Sequence, residues 1–516
     1  MSEETSFSQQ ILARKPVELF EQDIQKSGLK KVLGKWGLTA MGVGAIIGAG
    51  IFVLTGLAAK EYAGPALALS FIVAGIGCTF AALCYAEFAS MLPVEGSAYA
   101  YSYATMGELF AWIIGWDLIL EYAMASSSVA VGWSGYLGKL LALFNVHLPL
   151  WLMHDYPTAA KLLLDASVQG SLSTLSSHYS NLNLPVVFGH HIAFNLPAFL
   201  IIAVVTAILV RGVKEASGTN IIMVVIKLAV ILFIIIVGAF YIVPENWTPF
   251  IPERIVDKEG IGHYGWMGVL SGASYVFFAY IGFDAVSTQA GEAKNPQKDV
   301  PFGIIVSLIV CTILYILVSF VLTGMVSYKD IDITAPISSA FSQRGLNVAT
   351  LFISFAAVAG LTSVLLVMLL GQSRIFYAMA KDGLLPQKTF GGLHSKFKTP
   401  HKASILTGIV VGLVSGLTPI DDIAKLVNIG TLLAFVLVCG SVWIMRIKEP
   451  DRPRAFKTPY LPVVATLGIL SNLAMMFGLE WINWARLFIW LGIGIIVYLI
   501  YGRKHSKLAE YLRNKK

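Results

Sequence analysis

The chain has 516 residues, 56% of them hydrophobic and only 13% charged, against about 25% charged in an ordinary soluble domain; this excludes a soluble fold and indicates a polytopic membrane protein. Its net charge of +7 comes from lysines and arginines dealt out among loops, not from a basic patch with interleaved aromatics, which excludes a nucleic-acid partner. Cys78, Cys84, Cys311 and Cys439 all lie inside apolar runs without a Cys-x-x-Cys pair, so they read as free thiols.

Residues 1–35 are polar and contain no short apolar core followed by a small-residue cleavage site; they read as a cytoplasmic segment, not a secretory signal. A window of about 19 residues then gives about twelve transmembrane helices. The spans fall at 36–59, 66–91, 107–143, 195–212, 218–243, 262–290, 303–327, 345–378, 403–418, 422–447, 460–478 and 481–501, followed by a tail over 502–516. Glycine and proline mark the joins, among them Gly64-Pro65, Leu92-Pro93, Pro244, Pro296, Pro301, Pro400 and Pro419.

Lysine and arginine crowd alternate loops: Lys26, Lys30 and Lys31, then Arg211 and Lys214, Lys294 and Lys298, Lys396, Lys398 and Lys402, Arg446 to Lys457, and the tail from Arg503. The opposite loops carry Glu245, Glu253, Asp257, Glu259, Asp330, Asp332, Asp421 and Asp422. The positive-inside rule places the basic side, and with it both termini, in the cytoplasm of a plasma-membrane protein. The longest outer segment, about 144–194, contains His147, His154, His178, His190 and His191, but their spacing matches no metal-ligand set. It reads as a solvated loop. Asn246-Trp247-Thr248 is a glycosylation sequon, meaningful in a host that glycosylates.

Span 1 holds Gly42-Val43-Gly44-Ala45-Ile46-Ile47-Gly48-Ala49-Gly50-Ile51-Phe52, and span 6 holds the small-residue run Gly268 to Asp284 with Gly282 at mid-span. Either run alone would serve for close helix packing. Matched breaks five spans apart are what two inverted five-helix repeats require, with a site between them. On that reading the first repeat covers 36–243, the second 262–447, and helices 11 and 12 occupy 460–501. The half-helix starting near Ala49 and Gly50 offers N–H groups and a positive dipole end to a carboxylate. Carbonyls near Ile46 and Ile47, and at Phe278, Ala279 and Ile281, suit an ammonium group.

Charges inside spans are costly and mark function. Lys227 lies about nine residues into span 5, roughly 13 Å from its cytoplasmic end at 1.5 Å per residue, too deep for simple snorkelling. It reads as a proton carrier that touches the broken carbonyls of span 1. On span 3, Glu121 reads as facing the cavity, while Asp117, one turn away, secures packing. Asp284 orients the second break or contacts substrate, and Glu87 is a gate or packing residue near the cytoplasmic end of span 2.

Several separated motifs carry a family likeness: GAIIGAGIF at the first break, Tyr85-Ala86-Glu87-Phe88 with Pro93 and Gly96-Ser97-Ala98-Tyr99, FFAYIGFDAVSTQAGEAKNP over 277–296, and Arg374 to Pro386. Over nearly its whole length the chain resembles the amino acid–polyamine–organocation superfamily, and within it the cationic amino acid transporter family and bacterial proton-coupled permeases. The resemblance implies an all-α membrane protein of leucine-transporter type, with a 5+5 inverted repeat, broken helices 1 and 6, and proton-linked uptake of L-amino acids. It implies carboxylate contacts at Ala49 and Gly50, ammonium contacts at Ile46, Phe278 and Ile281, a side-chain pocket with Glu121, Ala125 and Met368, and coupling through Lys227; the broken stretches themselves add Gly48, Ala279 and Asp284 as candidate substrate contacts. Ala49 stands where many relatives have a hydroxyl residue, so the substrate carboxylate depends on backbone N–H groups there. Met368 narrows the pocket against long cationic side chains, which favours neutral substrates such as alanine.

A cationic amino acid transporter, an obligate exchanger, a sodium symporter using Thr362 and Ser363, and a substrate-binding sensor remain open on sequence. An enzyme is not expected: there is no HExxH, GxSxG or metal cluster. No cofactor is expected beyond the coupling proton. The partners are the amino acid and the lipid bilayer, with a small membrane accessory subunit left open.

Overall fold

Long runs of Leu, Ile, Val, Phe and Ala broken by Gly and Pro give a structure that is almost wholly helical. The computed structural model describes residues 10–16, 19, 33–91, 97–168, 170–212, 216–256, 262–397 and 399–515. Leu92, Pro93, Gly96, Lys26, Lys30, Lys31, Lys214, Asp257, Glu259 and Lys398 lie outside them. Among the described residues, seven helices are long and apolar enough to cross a membrane, and shorter apolar helices of 10–17 residues accompany them. The chain is a multi-pass membrane protein.

In chain order the helices are α1 (Lys35–Ile46), α2 (residues 50–63), α3 (Leu67–Met91), α4 (Ser97–Thr105) and α5 (Glu108–Leu143). After an outer segment come α6 (Leu196–Arg211), α7 (Ala216–Ala239), α8 (Gly265–Val276) and α9 (Pro296–Met325). Then follow α10 (Asn347–Lys381), α11 (His401–Leu417), α12 (Ile420–Lys448), α13 (Leu461–Phe477) and α14 (Trp481–Val497). α9 begins well before the predicted 303 because the helix starts on Pro296 and continues through Pro301. Pro296 costs little at the first helical position, where the N–H groups have no intrahelical partner, whereas Pro301, five residues on, lies inside the helix.

The packing is ordered. α9 lies on α3, α10 on α5, and α11 on α6. The buried core runs through these pairs, and all four cysteines are free and buried within it.

Two features go beyond the sequence reading. Residues 144–194 are not an open loop: helical segments at Leu150–Met153, Tyr156–Val168 and Leu172–His178 enclose a small core of Leu150, Ala159 and Ala193. Apolar residues spaced to bury against one another fold a segment whose overall composition looks polar. Within it His154 is buried, with Nε2 2.7 Å from the Tyr179 hydroxyl. The second feature is Asn246, whose side-chain amide donates to the Gly324 carbonyl at 2.8 Å. That bond ties the turn after α7 to the end of α9.

Burial holds the His154 imidazole down at about pKa 4, from an ordinary 6.5. The opened segment takes up a proton below about pH 6.5 while the closed one stays neutral until about 4. Closure is therefore fully favoured above 6.5 and weakens as pH falls through that window. Hydrogen exchange over 150–184, corrected for intrinsic pH effects, is expected to accelerate from pH 6.5 to 4. The His154→Phe variant should lose that dependence.

Candidate functional site

Two helices come apart next to each other. α1 leaves helical geometry at Ile47, where ψ is 96°, and the chain resumes as α2 through a π-helical turn at Gly50–Leu54. α8 tightens into a 3-10 turn at Phe277–Tyr280 and extends at Ile281. It then turns at Gly282, with φ +119°, and continues as a 3-10 helix over Asp284–Glu292. The unwound stretch of the second helix is thus longer than its single mid-span glycine suggests.

The breaks fit together because two glycines permit it. A Cβ on Gly50 would stand 2.3 Å from the Ala279 Cα, and one on Gly282 would stand 3.0 Å from the Ala45 carbonyl carbon. Aromatic rings of Tyr85, Phe283 and Phe435, with centroids 5.0–5.7 Å apart, back the second break.

Each freed carbonyl needs a donor, because an unpaired peptide group away from water costs as much as a lost hydrogen bond. Lys227 Nζ donates to the Gly44 and Ile47 carbonyls at 3.0 and 3.3 Å. Its stem lies against Gly360 of α10, where a Cβ would meet it at 3.2 Å. The Tyr315 hydroxyl of α9 lies 2.8 Å from the Ile46 carbonyl and 2.9 Å from that of Ala279, bridging the two breaks. Asn428 of α12 donates its two amide hydrogens to Ser274 and Tyr275 carbonyls, each at 2.9 Å. Within the second break the Ile281 N–H reaches the Phe278 carbonyl at 3.2 Å, and the Gly282 N–H reaches Asp284 Oδ1 at 3.3 Å.

A cavity lies between the breaks. From the first it is lined by Ile46, Gly48, Ala49 and Gly50, from the second by Phe278 and Ile281, and from α5 and α10 by Ala125 and Met368. Ala45, Val129 and Val364 complete the wall; none of these three stood out in sequence. The cavity measures only about 10 Å³, room for one water at most. Every side chain on it is apolar, so its polar character comes from peptide groups: the first N–H groups of α2 on one side and break carbonyls on the other.

Glu121, Ala279 and Asp284 do not line the cavity; they stand behind its wall. Ala279 is the floor on which Gly50 rests. Asp284 is buried and holds the Gly282 turn. Glu121 is buried between α5 and α12 near Thr431, and its Oε2 has no hydrogen-bond partner among the described residues. Both oxygens of Asp117 are likewise unpartnered, and Gly430 gives them room: a Cβ there would lie 2.4 Å from Oδ1. Glu87 pairs with Arg446 and Arg454 and accepts the Thr458 N–H at 2.8 Å, tying α3 to the loop after α12.

Sequence reasoning missed Tyr315 and Asn428. A signal was present in each: a hydroxyl or amide at the centre of an apolar span must find a partner. It also missed Glu108, on which Gln10, Tyr103, Tyr498 and Ser506 converge, binding residues near both chain ends to the start of α5. Nearby, Lys15 and Tyr99 both bond Asp382, at 2.9 and 2.7 Å. Among the described residues, no group of three or more His, Cys, Asp or Glu side chains is placed to hold a metal ion.

The family model for amino acid permeases matches residues 33–501. The chain belongs to the amino acid permease family. This permease is 47% identical over 486 residues to the branched-chain amino acid permease BcaP of Bacillus subtilis (strain 168), covering 94% of the chain and 96% of that relative. It is 43% identical over 500 residues to the methylthioribose transporter of the same organism, covering 97% and 99%. The vacuolar cationic amino acid transporter 4 of Arabidopsis thaliana is 37% identical over 424 residues, 82% of the permease and 64% of the plant protein. The permease thus sits in the amino acid–polyamine–organocation superfamily, whose members are generally transporters and not enzymes.

Gly50→Ala forces a methyl group into the Ala279 backbone, whereas Gly48→Ala meets only Val364 methyls at 3.4 Å. In vesicle uptake assays Gly50→Ala is expected to lose at least tenfold in rate, and Gly48→Ala to stay within about threefold of the parent. Tyr315→Phe removes the donor that bridges the breaks and should lower uptake by roughly fivefold to a hundredfold, as one orphaned buried acceptor implies.

Proposed function

We propose that this permease takes up neutral L-amino acids with apolar side chains, alanine first among them, by proton symport with alternating access. One observation carries the reading. The cavity between the breaks has only apolar side chains on its wall, and it lies between the start of α2 at Gly48 to Gly50 and the broken stretch at Phe278 and Ile281. Such a site, once its walls part, offers backbone groups to the carboxylate and ammonium and apolar walls to the rest.

The roles follow position. Gly48, Ala49 and Gly50 take the carboxylate, and the carbonyls at Ile46, Phe278 and Ile281 take the ammonium. Ala125 and Met368 meet the side chain, and Glu121 and Asp284 act from behind the wall. No acidic side chain lines the cavity, which argues against a lysine or arginine substrate. The branched-chain permease among the relatives supports an apolar side chain, and the methylthioribose transporter adds a neutral thioether solute worth testing.

Lys227 supports proton coupling over sodium. Its ammonium group already sits on the carbonyls that a sodium ion would need, and the Thr362 hydroxyl accepts the Trp133 indole N–H at 2.9 Å. The architecture we infer has twelve crossings: two inverted five-helix repeats over 36–243 and 262–447, then helices 11 and 12 over 460–501. The packing of α9 on α3, α10 on α5 and α11 on α6, elements five spans apart, supports it. Both termini face the cytoplasm and the membrane is the plasma membrane.

The test is uptake of labelled alanine into sealed vesicles carrying the purified chain. Accumulation is expected to follow an imposed pH gradient and ignore sodium, with leucine and isoleucine competing and lysine and glutamate inert. Competition by methylthioribose alone would overturn the amino acid reading; exchange without net accumulation would overturn symport. Lys227→Met should abolish gradient-driven accumulation, and unaltered accumulation would remove the lysine's role.

A further inference from the structure

A larger cavity, about 470 Å³, opens on the side of the molecule between α6 and α11. Small residues create it: Ala203 and Ala207 on α6 face Ile405, Gly408 and Ile409 on α11, with Phe199 closing one end. The helices touch where Thr206 packs on Gly408, whose Cβ would stand 2.2 Å from the Thr206 hydroxyl. That hydroxyl is enclosed without a hydrogen-bond partner among the described residues. Around the groove Leu200, Val204, Ile405, Ile409 and Leu413 are 44–54% exposed, an oily surface of the kind that faces acyl chains.

The mouth is different. Arg211, the last residue of α6, lines the groove, is exposed, and makes no ion pair among the described residues. Residues 394–397 and 399–402 lie beside it, fastened by the Thr399 hydroxyl donating to the Val210 carbonyl at 2.8 Å. That segment brings Lys396, Phe397, His401 and Lys402 and contains no acidic residue. His401 Nδ1 is buried without a partner among the described residues. An apolar slot thus ends in unneutralised positive charge at the basic face of the molecule.

A gap of this size beside lipid does not stay empty of hydrocarbon, because unfilled walls forfeit their dispersion contacts. We propose that the groove binds one phospholipid with an acidic headgroup, drawn from the leaflet on the basic side. The acyl chain lies along Ala203, Ala207 and Ile409. The headgroup phosphate meets the Arg211 guanidinium, whose planar fork suits phosphate oxygens, with Lys402 adding long-range attraction. Basic pockets between membrane helices select acidic headgroups in this way. The site is separate from the substrate cavity and does not depend on which solute is carried.

The full-length permease, purified in detergent, is titrated with palmitoyl-oleoyl phosphatidylglycerol or the matching phosphatidylcholine and followed by native mass spectrometry. One phosphatidylglycerol is expected to bind saturably, at least fivefold tighter than phosphatidylcholine. Arg211→Gln should lower its affinity about fivefold, the contribution of one basic group at a membrane surface, and leave phosphatidylcholine unchanged. Ala207→Trp fills the slot and should abolish saturable binding of both lipids. Equal affinities, or an Arg211→Gln variant that binds like the parent, would overturn the headgroup assignment. Undiminished binding to a folded Ala207→Trp variant would place the lipid elsewhere. Saturable binding of neither lipid, the result if the groove is kept for an apolar helix of another protein, would overturn the proposal too. The size-exclusion profile and thermal unfolding of both variants control for folding, and the surface change Arg211→Gln remains decisive if Ala207→Trp misfolds.

Discussion

A helix that opens inside a membrane releases peptide groups that lipid cannot satisfy, and the arrangement of this permease follows from meeting that demand. Donors arrive at the two breaks from three other helices: Lys227 from α7, Tyr315 from α9 and Asn428 from α12. The accounting is nearly complete, but not quite. Tyr315 has one hydroxyl hydrogen and two carbonyls within reach, so one acceptor stays short of a donor at any instant. The bonding capacity left over lies at the Ile46 and Ala279 carbonyls, one on each break.

Around this centre the helices divide by what they supply. α5 and α10 give apolar wall and packing mass, and their mutual contact is extensive. The broken helices give polarity from backbone alone. Behind them, buried carboxylates serve joints: Asp284 fixes the turn at Gly282, Glu87 clamps α3 to the loop after α12, and Glu108 gathers Gln10, Tyr498 and Ser506. The last of these unites residues near both chain ends beside α4, and the neighbouring Lys15–Asp382 pair extends the junction to the end of α10.

Much of this was legible in the sequence, and for identifiable reasons. Span positions follow from hydropathy because bilayer thickness dictates length; helix ends fall within a few residues of expectation except at α9, where a proline inside the helix mimicked a boundary. Gly50 and Gly282 announced the breaks because no other residue allows such close backbone approach, and Gly48 lies beside the first of them. Lys227 announced itself as a charge where none is tolerated without purpose. What stayed hidden depends on contacts between distant segments. Tyr315 and Asn428 matter through which carbonyls they reach, Glu121 lies behind the wall because of a helix rotation that spacing alone leaves undetermined, and residues 144–194 fold through a core too small to register in composition.

The tightness of the central cavity has a consequence for selectivity. With about 10 Å³ between its walls, the protein holds no mould of its cargo; admitting any solute means prising α5 and α10 away from the broken helices. Each extra methylene then adds to the work of dilation, and close-packed interiors resist such dilation steeply. The room a solute needs must therefore come from movement of whole helices and not from a recess already present.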